Sequence, residues 1–138
     1  MLVSNESGDV INSLPNIEYE NFTRPQDMGN REEVRWLTLR NKIGCGLMFV
    51  SLQNNLPMSV LPYSQGQLDS VMHKYELPES DGNYFRIAWM VRGVGNASCG
   101  PDTREQFRCD FTGSANWSFA IVPVFSNTNA FEKYNDTL

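Results

Sequence analysis

Histidine and cysteine, the side chains most used for metal ligation and nucleophilic chemistry, are scarce: this 138-residue chain has one and three. His73 has no second histidine at zinc spacing, and Cys45, Cys99 and Cys109 lie too far apart for a C-x-x-C site or a disulfide framework. No metal and no cofactor are therefore expected in this chain, and reduced thiols are. A Gly-x-Ser-x-Gly elbow is also absent, and a Cys nucleophile would have to share the single His73. Positive charge is in deficit, with 11 Lys and Arg against 16 Asp and Glu and a net charge of −5. The basic residues are scattered, so no stripe tracks a phosphate backbone and nucleic acid is not an expected partner. No apolar run approaches the roughly 18–20 residues of a membrane span. The start, Met1 to Asp9, lacks a basic n-region and an apolar h-region, so no signal peptide is expected and a cytoplasmic setting is. The sequons at Asn5, Asn21, Asn96, Asn116 and Asn135 need a secretory route to matter, and they read as coincidence.

What is present is a globular composition, 12% aromatic and 20% charged, in a length that fits one domain with a real core. Residues 1–21 are polar and without period, a tail or linker. Val34, Trp36 and Leu37/Leu39 alternate as a strand, Asn41 to Gly44 make a turn, and Gly46 to Leu52 form a second, more apolar strand that should be central. Met58 to Tyr63 read as a third strand, with Pro57 and Pro62 marking its ends or a sheet edge. From Ser64, a suitable N-cap, Leu68, Val71 and Met72 share one helical face until Pro78, with His73 near the helix C-terminus. Tyr84–Val91, Arg104–Phe111 and Asn116–Phe125 are three further expected strands, the last apolar enough for burial on both faces. After Ser126 the pattern dissolves into a C-terminal tail, residues 126–138. Six strands and one short helix describe an all-β, mainly antiparallel β-sandwich over residues 22–125.

Gly93-Val-Gly95-Asn-Ala-Ser-Cys99-Gly100-Pro101-Asp-Thr103 interrupts the pattern as a shaped loop, the kind of segment that presents binding groups from a rigid scaffold. It is not a dinucleotide fingerprint, because Ser98 stands at the third glycine position and Gly100-Pro101 prevents the helix that must follow. Glycoside hydrolysis needs two carboxyl groups flanking one sugar bond. The neighbouring acids Glu32/Glu33, Glu76/Glu79 and Asp102/Glu105 read as ordinary solvated charges, so no catalytic residue is assigned. Trp36, Trp89 and Trp117 all fall inside expected strands, which favours core packing over sugar stacking.

Three segments in order resemble one family: Arg24-Pro-Gln-Asp-Met-Gly-Asn-Arg31 running into Val34-Arg-Trp36, then Ser59 to Ser64 with Leu68 and His73-Lys-Tyr-Glu-Leu77, then Arg92 to Thr103. Together they resemble the C-terminal small-chain domain, the fifth domain, of glycoside hydrolase family 2 β-galactosidases, over about Phe22 to Pro123. The resemblance implies a galactose-mutarotase-like supersandwich of which this chain is only the latter part. It implies that terminal β-galactosides such as lactose are cut by two Glu residues and Mg²⁺ on a separate barrel domain, which is then the partner. It also implies that Asn96, Ser98 and Cys99 contact carbohydrate at the mouth of that active site. Cys99 stands where some members carry a sugar-stacking Trp, and Ala88 where many carry Asp. The alternative is an independent carbohydrate-binding module or a mutarotase-like sugar-binding protein, and a chain without its partner sequence should self-associate.

Overall fold

A computed structural model describes residues 22–92, 99–109 and 111–138, with the backbone alone of residues 2–4 and 10–12. Its strands are β1 (Leu2–Ser4), β2 (Val10–Asn12), β3 (Arg31–Val34), β4 (Trp36–Arg40), β5 (Gly46–Ser51), β6 (Leu56–Leu61), β7 (Tyr84–Ile87) and β8 (Phe119–Val124). Two short helices, α1 (Gln65–Asp69) and α2 (Ala130–Asn135), complete it with 3₁₀ turns at Lys74–Glu76 and Glu105–Phe107. The strands form two antiparallel sheets, one in the order β2-β1-β4-β5-β8 and one in the order β3-β6-β7. The all-β sandwich is thus what the sequence pattern described, with two helices in place of one.

Strand alternation explains the two apolar layers. Leu37 and Phe49 of the larger sheet meet Val34, Leu56, Met58 and Val60 of the smaller one, forming the interior of the sandwich. On the opposite face, Trp36, Met48, Val50 and Val124 pack under Ala130 and Tyr134 of α2. A side-chain period of two delivers one set to each face. β4 and β5 make the expected hairpin, and β5 lies inside its sheet between β4 and β8. At the hairpin turn Gly44 takes φ 84°, while a side chain on Gly46 would sit 1.8 Å from the Leu39 carbonyl oxygen. Both positions therefore demand glycine.

Several expectations are corrected. Pro57 marks neither an end nor an edge; it sits inside β6, the central strand of the smaller sheet. Its missing N–H faces Ala88, just past the end of β7, and the Pro57 carbonyl still accepts the Ala88 N–H, so only one terminal bond of that ladder is lost. α1 begins at Ser64 as expected, with a full capping box to Gln67, but stops at Asp69 rather than running to His73. Only Leu68 is buried, and Met72 is exposed. His73 consequently opens the 3₁₀ turn instead of ending a helix. Arg104–Phe111 is not a strand; among its described residues the only regular element is the 3₁₀ turn. β8 is not buried on both faces, since Ile121 is 56% exposed. The residues after Ser126 contain α2, capped by the Asn129 side chain, and two short strands occur within residues 1–21.

Candidate carbohydrate-contacting loop

The loop of interest leaves from the end of β7. Arg86 on that strand pairs with Asp27, and the Ala88 N–H donates to the Pro57 carbonyl at 2.9 Å, holding the exit against β6. Trp89 then turns its ring edge-on to Phe111, with centroids 4.7 Å apart. The chain returns at Cys99, Gly100 and Pro101, all exposed.

Asp102 ties the two limbs together. Arg92 Nη2 donates to Asp102 Oδ2 at 2.8 Å, and Arg108 Nη2 lies 3.3 Å from the same oxygen. The other oxygen, Oδ1, accepts the Thr103 N–H at 2.8 Å, and Arg108 Nε donates to the Thr103 carbonyl. The Thr103 N–H, then the Arg92 and Arg108 guanidinium groups, hold the Asp102 carboxyl below the usual carboxylate range. Asp102 is therefore not the ordinary solvated charge its sequence surroundings suggest. Its role was hidden because partners ten residues before and six after obey no local spacing rule.

Of the expected contact residues, Cys99 is exposed, while Asn96 and Ser98 lie outside the described residues. All three cysteines are free thiols, Cys45 half-buried and Cys109 exposed. The tryptophans divide: Trp36 is 3% exposed and belongs to the core, whereas Trp117 precedes β8, stacks on Phe119 and is 37% exposed. An open concavity of about 550 Å³ is lined by Leu39, Lys42, Cys45, Leu47 and Asn83 among others. Asn83 precedes β7 and the loop follows it, so the hollow and the loop lie at opposite ends of that strand.

His73 has no nucleophile beside it among its recorded contacts. Its ring stacks on Tyr75, and Nδ1 lies 3.4 Å from Glu76 Oε1. Glu76 Oε2 accepts the backbone N–H groups of His73 and Met72, which lowers the carboxyl below its ordinary value. This is a turn-capping arrangement. Among the described residues no three His, Cys, Asp or Glu gather to hold a metal ion.

The family model for the β-galactosidase small chain matches residues 12–121, which takes in both sheets' hairpins and the whole loop. The chain belongs to the β-galactosidase small-chain family. Within curated proteins it is 38% identical over 74 residues to a β-galactosidase of Priestia megaterium, covering 54% of this chain and 7% of that enzyme. It is 33% identical over 108 residues to the β-galactosidase of Lactobacillus delbrueckii subsp. bulgaricus, covering 76% and 10%. The β-galactosidase small subunit of Latilactobacillus sakei is 29% identical over 108 residues, covering 70% and 34%. This small-chain sequence thus spans a third of a small subunit and about a tenth or less of the larger relatives it matches.

Proposed function

We propose that the chain is a non-catalytic segment of a family 2 β-galactosidase, supplying packing surface and a carbohydrate-contacting loop for the hydrolysis of terminal β-D-galactosides such as lactose. The observation that carries this reading is the clamp at Arg92, Asp102 and Arg108, which anchors a loop bearing the exposed Cys99. Tying Asp102 and Thr103 in place orders the backbone just after Cys99 before any ligand arrives, which lowers the ordering cost of binding there. Cys99, with Ser98 and Asn96, would meet the sugar as a small contact, since a thiol offers no indole face for stacking. The two catalytic carboxylates and Mg²⁺ would belong to a separate domain of the same enzyme.

Calorimetric titration of the isolated chain with galactose and lactose tests this. The reading expects no measurable heat of binding up to millimolar sugar, because one loop supplies too few contacts alone. Millimolar or tighter binding by the chain alone would instead establish an independent carbohydrate-binding module.

A further inference from the structure

Trp117 is the most exposed of the three tryptophans, at 37%. Its ring lies nearly parallel to that of Phe119, with 19° between the planes and 5.7 Å between centroids. A parallel neighbour covers one face, so the wet area belongs to the other face and the ring edge. Phe119 in turn packs against the sandwich interior, and the pair stands where that interior ends.

Strand register shows which end this is. β8 starts opposite the end of β5, with Ser51 beside Phe119, and the Leu52 N–H donates to the Ser118 carbonyl. β5 leads through residues 52–55 into β6, whose start lies beside the end of β7. There Met58 pairs with Ile87, and the Pro57 carbonyl accepts the Ala88 N–H. Trp117 therefore shares its end of the sandwich with the exit of the loop that carries Cys99. Leu52, Met90 and Phe111 are exposed at the same end, so the indole belongs to a patch rather than standing alone.

The chemistry of this corner selects its ligand. Neither segment that brings Trp117 there carries a charge: none occurs in residues 43–68 or 111–131. What flanks the indole is side-chain amide. Asn116 precedes it, and Gln53 and Asn54 follow Leu52; all three are exposed, and their amides make no hydrogen bond among the described residues. An aromatic face with free amides around it suits a neutral sugar. The C–H face of a pyranose lies on the indole, and its hydroxyls donate to the amide carbonyls and accept from the amide N–H groups. Resting on the reading of this chain as a β-galactosidase segment, we propose that Trp117 is a further carbohydrate contact, a stacking platform for a neutral pyranose beside the Cys99 loop. It offers the indole face that the thiol at position 99 lacks.

The test titrates lactose into the 138-residue chain and follows the tryptophan indole N–H signals by NMR, with sorbitol as a polyol that has no ring. The Trp117 signal should move saturably with lactose, half-maximal at about 10–100 mM, an affinity too weak to give heat at millimolar sugar. The signal of the buried Trp36 should stay still. Followed at the Asn116 and Ser118 backbone amides, Trp117→Ala should weaken the response about tenfold or more, and Trp117→Tyr, which keeps an aromatic face, should retain it. A Trp117 signal that lactose leaves unmoved, or that sorbitol moves equally, overturns the platform and leaves the functional reading standing. The parent titration decides this even if Trp117→Ala fails to fold. A shift that grows with the chain's own concentration gives the face to a second copy and overturns the proposal. Millimolar or tighter lactose binding that persists in Trp117→Ala overturns both the platform and the reading of the chain as an accessory segment.

Discussion

Arg92 and Asp102 meet across the neck of the loop, Nη2 to Oδ2 at 2.8 Å, although ten positions separate them in the chain. Neither residue is buried, and both remain partly exposed to water. The contact matters as a geometric tie rather than as a large stabilising term, because exposed ion pairs add little to global stability. Asp102→Asn should therefore leave the urea midpoint nearly unchanged while speeding amide exchange at Gly100 and Thr103. Exchange measured by NMR checks this, and equal rates in the two proteins would show that the neck is held by something else.

The same carboxylate sets a pH dependence. Asp102 has its folded-state pKa below the ordinary aspartate value, chiefly through the Thr103 N–H. A depressed acid contributes stability that is complete above its unfolded pKa and is lost as pH falls through the folded value. The neck should stay closed from neutral pH down to the ordinary carboxylate range and open only below it. Gly100 and Thr103 exchange, corrected for intrinsic rates, should show a step there and none between pH 5 and 8.

Global stability resides in the layer between the sheets. Leu56 is 1% exposed and belongs to the cluster that the inner faces of both sheets form. Leu56→Ala should cost about 2–5 kcal/mol, the range for a large apolar side chain removed from a packed core. Ile121→Ala, at an exposed position, should cost less than about 0.5 kcal/mol. Urea denaturation of the two variants separates them.

α2 is a lid over the second apolar layer. Removing residues 129–138 takes Ala130 and Tyr134 off Trp36, Met48, Val50 and Val124. Trp36 fluorescence should shift to longer wavelength and the protein should lose stability. An unshifted spectrum would mean that the helix does not cover that face in solution.

Much of this architecture is legible in the residues, and the gaps have physical causes. The β4–β5 hairpin shows because its alternation is regular and Asn41 to Gly44 carry turn chemistry, with Asn41 Oδ1 accepting the Ile43 and Cys45 N–H groups. Ser64 shows as a cap because Gln67 completes the box. The stop at Asp69 does not show, because Val71 and Met72 continue a helical spacing, whereas in the structure the Met72 and His73 N–H groups bond the Glu76 carboxylate instead of helix carbonyls. α2 is invisible to periodicity, since Ala130 and Tyr134 alone define its inner face. Arg104–Phe111 alternates like a strand yet finds no partner among the described residues, while Arg108 and Phe111 are drawn to Asp102 and Trp89. Cys99 stands out through the family resemblance alone, whereas the Asp102 clamp three residues on emerges only in three dimensions.

The central claim is that this loop touches a galactoside cut by another domain. It is tested most directly in a hybrid of the L. delbrueckii subsp. bulgaricus β-galactosidase whose 108-residue match is replaced by the corresponding part of this chain. Lactose kinetics are compared for the hybrid with Cys99 and with Cys99→Trp. The account predicts an active hybrid in which Cys99→Trp, by adding a stacking face, changes KM for lactose severalfold while folding stability is unchanged. An active hybrid whose lactose kinetics are identical with Cys and Trp at position 99 would contradict it.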